Sequence, residues 1–242
     1  MPSTLTPSQP EISQLSFDQK ADLIAHFQEF LTENRRDRFR TVLSKRTRQI
    51  TVVLEDIYQP HNASAVLRSC DGFGVQDIHT IETRNDFSPN RNVSIGADRW
   101  LTLHRHNQPD ADNTTACLSK LKSQGYTLVA TTPHTTATTV NEIPVDGKVA
   151  LLFGTELTGL SDAALEQSDT YALIPMSGFS ESFNISVSAA LCLYDLTTRL
   201  RQTRDDWHLT AQEQQDLYLD WVLSSIKARD QLLARYWETH QQ

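Results

Sequence analysis

Long apolar runs are missing from this chain of 242 residues. No stretch approaches the roughly eighteen consecutive apolar residues that cross a bilayer as a helix. The opening segment MPSTLTPSQPEISQ has neither the basic region nor the apolar core of a secretory leader, so the sequence is expected to be cytoplasmic. Cysteine is scarce and scattered. Cys70, Cys117 and Cys192 form no C-x-x-C pair, which excludes a disulfide framework and a structural zinc site as organising principles. Nucleotide signatures are absent as well: Asp71-Gly72-Phe73-Gly74 lacks the third glycine of a dinucleotide fingerprint, and neither G-x-x-x-x-G-K-[ST] nor G-x-S-x-G occurs. The N-x-[ST] sequons at Asn62, Asn92, Asn113 and Asn184 are not glycan acceptors without secretion, and they need another reading.

Charge is present but uneven. The chain carries −8 overall, yet Arg35, Arg36, Arg38, Arg40, Lys45, Arg46 and Arg48 stand against the single acid Asp37, a +6 segment that leaves −14 for the rest. Such a run is either a solvated helix face or a phosphate-binding patch.

Four stretches follow from patterning. Residues 1–15 are Ser/Thr/Pro-rich and read as a disordered tail. Residues 16–48 form a basic helical extension, because Ser16 and Gln19 have capping-box spacing and Phe17, Leu23, Ile24, Phe27 and Phe30 recur at helical intervals that continue through Phe39, Val42 and Leu43. Across 49–203, β-rich apolar runs at 50–56, 77–82, 126–131, 149–154 and 171–175 alternate with helical segments near 62–73, 113–124, 161–168 and 184–202, and 97–106 offers one more strand. That alternation predicts an α/β fold, a mainly parallel sheet with helices on both faces. Residues 204–242 form a second helical extension, opened by Thr210 and Glu213, whose stripe from Leu217 to Trp237 must pack on the N-terminal helix of its own chain or of a second copy.

Candidate chemistry lies elsewhere than in the histidines. His104-x-His106 would put two imidazoles on one face of a strand, but spacing suggests no third ligand, so they read as surface residues and no metal is expected. Instead, three segments sit at the carboxyl ends of predicted strands, where open α/β sheets bind ligands. QPHNASAVLRSCDGFGV (59–75) has Asn62 at an N-cap position and Arg68 in a helix of small residues. LLFGTELTGLSD (151–162) carries Glu156 between Gly154 and Gly159, with Ser161 as the next N-cap. ALIPMSGFSESFNISVSAA (172–190) enters a helix through Ser182 and Asn184. Each alone usually reads as a plain turn before a capped helix.

Together and in this order they resemble the SpoU/TrmH branch of the SPOUT methyltransferases, whose motifs read N-x-x-A-x-x-R-x-x-x-x-x-G, F-G-x-E-x-x-G-[LIV]-S and I-P-M-x-G-x-x-x-S-[LF]-N-V-S-x-A. The resemblance covers about residues 34–203 and is greatest to the tRNA (guanosine-2'-O)-methyltransferase group. It implies a C-terminal trefoil knot, a homodimer with the active site at the subunit interface, and transfer of a methyl group from S-adenosylmethionine to a tRNA ribose 2'-hydroxyl, guanosine 18 of the D-loop being expected. A ribosomal RNA target, or a non-catalytic RNA-binding protein on the same scaffold, are the alternatives. An rRNA enzyme of this branch would often carry a separate globular N-terminal domain, which the short N-terminal stretch cannot make.

Carried onto matching positions, the resemblance makes Arg68 catalytic, with Asn62, Glu156, Ser182 and Asn184 orienting it. It assigns the cofactor pocket to Thr132, Gly154, Glu156, Gly159, Ile174, Met176, Phe183 and Asn184. The family role of Arg68 is a base; a guanidinium stays protonated in proteins, so a cation that stabilises the developing alkoxide is the physically preferred version. The basic helix, Arg68 and Arg91 would hold the RNA backbone, supplemented by Arg84, Arg99 and Arg105. Glu181 in the third loop and the added N-terminal helix depart from the family pattern.

Overall fold

The computed structural model describes residues 11–88, 94, 96–133 and 138–240. Its strands are β1 (Ile50–Glu55), β2 (Asp77–Ile81), β3 (Thr102–His106), β4 (Tyr126–Thr131), β5 (Thr138–Thr139), β6 (Lys148–Phe153) and β7 (Thr170–Leu173). The α-helices with described bounds are α1 (Phe17–Phe27), α2 (Glu33–Leu43), α3 (Pro60–Phe73), α4 (Asn113–Ser123), α5 (Asp162–Gln167), α6 (Ile185–Thr203), α7 (Ala211–Ser224) and α8 (Arg229–His240). Two compact units result, Arg46–His208 and the terminal segments Met1–Lys45 with Leu209–Gln242. No described helix is long and apolar enough to cross a membrane.

The larger unit is a seven-stranded, all-parallel sheet in the order β3-β2-β1-β6-β4-β7-β5. Both faces are covered, which is why β1 is buried at all its positions and reads as a continuous apolar run. Val52, Leu54, Leu151 and Phe153 face the core shared with α3 and α6; Val53, Ala150 and Leu152 face the opposite core with Cys117, Leu118 and Leu121 of α4. The order reverses beside β1: β2 and β3 build outward on one flank, whereas β6 and β4 lie on the other. A crevice forms at such a switch point. The predicted strand at 97–106 shortens to β3, and β5 was invisible in the sequence because two threonines carry no periodic signal.

In the terminal unit the expected single basic helix is two. Ser16 and Gln19 make the capping box of α1, but after a 3-10 turn the chain is extended at Leu31, and Thr32 accepts the Arg35 N–H at 3.3 Å to start α2. The C-terminal stripe also divides, into α7 and α8. Its partners lie in the same chain: Phe39 packs edge-on against Trp221 at 5.6 Å, Phe27 meets Tyr236 at 5.8 Å, and Lys20, 6 % exposed, pairs with Asp216 at 2.8 Å.

The basic run does not behave as one surface. Arg35, Arg38, Arg40 and Lys45 are exposed, and Arg36 is half-buried beside Glu29 at 3.1 Å. Arg46 is the correction. It is 1 % exposed, with its guanidinium on the Asp71 carboxylate and carbonyl, so it holds the end of α3 and cannot reach a phosphate. Arg48 pairs with Asp77 at 2.8 Å. Arg84 is likewise engaged with Asp56 and Arg105 with Glu82, while Arg99 lies over Trp100.

The histidine expectation also changes. His79 of β2 is 4 % exposed, and its Nδ1 lies 3.1 Å from Nε2 of half-buried His106, so that pair is internal. Burial, reinforced by His104 and His106, pushes the His79 imidazole down to about 3, leaving it neutral at physiological pH.

Arg46→Ala is expected to cost about 2–3 kcal/mol in urea unfolding, somewhat below the loss for a fully buried pair because Asp71 retains solvent contact. Arg36→Ala should change stability by less than about 1 kcal/mol.

Candidate active site

Beyond the carboxyl ends of β1, β4, β6 and β7 lies a cavity of about 680 Å³, at the position the sheet order dictates. Three loops form it, and side chains fix each of them. At the end of β1, Glu55 is 2 % exposed and accepts the Ser161 N–H at 2.8 Å, the Ser161 hydroxyl at 2.7 Å and the Thr114 hydroxyl at 2.8 Å. One carboxylate thus ties the strand to the 154–161 loop and to α4. Its neighbour Asp56, at φ 53°, accepts backbone N–H groups of Thr83, Arg84 and Asn85 and clamps the loop after β2. Burial alone would raise the Asp56 carboxyl, but these hydrogen bonds and the Arg84 side chain outweigh it and hold it below the usual range.

The 154–161 loop closes on itself. Thr155 and Gly159 exchange backbone hydrogen bonds at 3.0 Å in each direction, and Gly159 has φ +70°. At Gly154 an added Cβ would stand 2.1 Å from the Gly159 carbonyl carbon, so the two glycines serve the same closure for different reasons.

Asn62 joins the loops. It was expected as the N-cap of α3; the cap is Gln59, Pro60 opens the helix, and Asn62 sits inside the first turn, 4 % exposed. Its amide NH₂ donates to Glu156 Oε1 and its carbonyl oxygen accepts from Asn184 Nδ2 at 3.1 Å. Asn184 in turn accepts the Ser186 N–H at 2.9 Å, capping α6. Each amide donates with its nitrogen and accepts with its oxygen, which leaves both ends of Asn62 satisfied.

All the residues assigned to the cofactor pocket line this cavity: Thr132, Gly154, Glu156, Gly159, Ile174, Met176, Phe183 and Asn184, together with Asn62 and Ser182. Sequence reasoning missed Glu55, which anchors the 154–161 loop and whose signal was a carboxylate closing the apolar run ITVVLE, and it missed Gln59, Pro133 and Ser188 of the cavity wall. Arg68 stands apart. It lies six residues beyond Asn62 on α3, about 9 Å along the axis; it is exposed and is not part of the cavity wall. Arg91 falls outside the described residues.

Comparison with known proteins places this geometry. The SpoU rRNA Methylase family model matches residues 49–194, more than half of the chain. The chain belongs to the SpoU methylase family. Among its relatives, a Borreliella burgdorferi protein named tRNA (guanosine(18)-2'-O)-methyltransferase is 38% identical over 82% of this chain and 88% of its own length. A Thermus thermophilus protein of the same name is 37% identical over 68% of this chain and 82% of its own. The crystal structure of the A. aeolicus TrmH/SpoU tRNA modifying enzyme superposes with a TM-score of 0.71 at 28% identity, covering 80% of this chain and 98% of the other. Asn62 of the first segment hydrogen-bonds Glu156 of the second and Asn184 of the third.

The two glycines of the second loop should separate on substitution. Gly154→Ala forces backbone apart and is expected to cost about 3 kcal/mol, whereas Gly159→Ala meets no neighbour and carries only the left-handed backbone penalty of about 1 kcal/mol. Denaturant unfolding of the two variants measures the difference; equal losses would remove the steric account.

Proposed function

We propose that this chain is an S-adenosylmethionine-dependent tRNA (guanosine-2'-O)-methyltransferase acting on guanosine 18 of the D-loop. The observation that carries the reading is the Glu156–Asn62–Asn184 network beside the switch-point cavity, in a chain 38% identical over most of its length to a relative of that name. A relative named as a 23S rRNA (guanosine-2'-O-)-methyltransferase is 28% identical, so the tRNA target is preferred to the ribosomal one.

The cavity suits the methyl donor. Its volume falls within the ordinary range for small-molecule sites, Ile174 and Met176 offer an apolar surface, and Thr132, Glu156 and Asn184 supply polar groups around it. The donor when bound supplies a methyl carbon already activated by its sulfonium. What the protein adds is alignment of the ribose oxygen and help in removing its proton. Gly154 and Gly159 hold the second loop shut, and Asn62 fixes the second and third loops against α3.

Arg68 is proposed as the catalytic cation. It is exposed and engaged in no ion pair among the described residues, so its charge is available to an RNA phosphate and to the developing alkoxide. The ribose proton leaves to phosphate or water. Because Arg68 stands outside its own cavity wall, the reading places it at the site of a second copy in a homodimer. Val187, Leu191 and Tyr194 support that arrangement: they form an exposed stripe at helical spacing on α6, continuous with exposed Phe183. A trefoil knot threading the C-terminal part of the 49–203 domain, helical extensions at 16–48 and 204–242, and a cytoplasmic location complete the proposal. RNA contact falls to Arg35, Arg36, Arg38, Arg40 and Lys45 of the N-terminal extension, and to Arg48, Arg68 and Arg91.

Arg68→Ala should lower labelled-methyl transfer to tRNA by more than tenfold while S-adenosylmethionine affinity in calorimetry changes by less than about twofold; a variant keeping more than about a tenth of the rate would remove Arg68 from the chemistry. With five phosphates engaged by the extension, tRNA affinity should fall with salt at a log-log slope of roughly −3.5 to −4.5. A slope near zero would exclude the basic helix from substrate binding.

A further inference from the structure

β2, β3 and α4 enclose a cluster that methyl transfer does not use. His79 of β2 lies opposite His104 in the parallel register, and His106 follows two residues on, on the same face of β3. The His79 and His106 rings stack at 5.4 Å with Nδ1 of one 3.1 Å from Nε2 of the other. Cys117 of α4, fully buried, is their third neighbour: one ligand atom from each of His79, His106 and Cys117 lies within 4.8 Å of the others.

The two imidazole nitrogens, within hydrogen-bond distance of each other, are also near the separation of a coordination sphere, and the thiol lies within 4.8 Å of them. Two imidazole nitrogens bound tetrahedrally at about 2.0–2.1 Å stand about 3.3 Å apart. The pair here is at 3.1 Å. Two imidazoles and a thiol make a mixed nitrogen and sulfur donor set, which zinc takes readily and magnesium or calcium do not. His104 is engaged differently: it stacks on His79 at 4.5 Å and directs Nε2 to Asp77 Oδ1 at 3.4 Å, so it is not among the three ligands. Charges of both signs surround the cluster. The ammonium of Lys120 acts on all three ligands, while the carboxylates of Asp77 and Glu55 act with the opposite sign on His79 and Cys117 respectively.

We propose that His79, His106 and Cys117 bind a zinc ion that ties the β2–β3 edge of the sheet to α4, a stabilising site separate from the methyl-transfer cavity. Binding releases the Cys117 thiol proton to solvent, the thiolate and two imidazole lone pairs fill three positions, and nothing is oxidised.

The experiment uses the full untagged chain, stripped with chelator and dialysed against zinc sulfate or cobalt chloride. Wild type should retain about one metal per chain by mass spectrometry of the digest. Its cobalt form should show the intense visible bands of tetrahedral Co(II) with a thiolate charge-transfer band in the near ultraviolet. Zinc at a hundredfold its dissociation constant should raise the melting temperature by roughly 5–10 °C. His106→Ala and Cys117→Ser should lose the metal and the shift while keeping metal-free methylation activity. Metal content well below stoichiometric, a pale octahedral cobalt spectrum, or variants that bind as wild type does would each overturn the site. Should a variant fail to fold, the cobalt spectrum of wild type decides alone.

Discussion

A single buried amide organises the site. Asn62 is held inside the first turn of α3, and it spends both ends of its side chain on other loops: hydrogens toward Glu156, oxygen toward Asn184. An aspartate of the same shape would set a carboxylate against Glu156, and a leucine would orphan both partners. The residue type is therefore dictated by what it must do at two ends at once. Once that amide is in place, the second loop is pinned at Glu156 and the third at the first turn of α6, and the cavity between them acquires a fixed outline.

Glu55 has the complementary task. Whereas Asn62 works at the rim, Glu55 works beneath it, gathering Ser161 and Thr114 from two different elements onto a strand end. Neither device relies on bulk hydrophobic packing, although the sheet that carries them does. Rigid strands, short clamped loops and a switch in strand order together place polar groups around a hollow without a glycine-rich phosphate fingerprint.

Much of this was legible in the chain. The alternation of ITVVLED, DIHTIE, YTLVAT and VALLFG with helical segments gave a parallel α/β sheet, because strands buried on both faces read as near-continuous apolar runs. The cavity residues were legible through the order of three motifs, not through periodicity. Tertiary information was hidden where a side chain chose a distant partner. Nothing local distinguishes Arg46 from Arg38, yet one is enclosed with Asp71 and the other exposed. The histidine neighbourhood was hidden for the same reason: His104-x-His106 announced a shared face, but His79 joins it only through the register of β2 against β3, and Cys117 only through the packing of α4. The division of the basic helix at Leu31 and Thr32 escaped because an apolar stripe continues across a break when both helices face one core.

Three of the four sequons find their meaning here, while Asn92 lies outside the described residues. Asn184-Ile185-Ser186 is a sequon because a helix cap needs an amide oxygen two residues ahead of a hydroxyl-bearing neighbour, and Asn62-Ala63-Ser64 because the loop junction needs a buried amide. Asn113 likewise exchanges hydrogen bonds with the Gln108 backbone. Joinery of this kind imitates a sugar-attachment code by coincidence of geometry. Production through a eukaryotic export route would read those triplets literally, and an oligosaccharide grafted onto Asn62 or Asn184 during synthesis would wedge the loops open before they could meet.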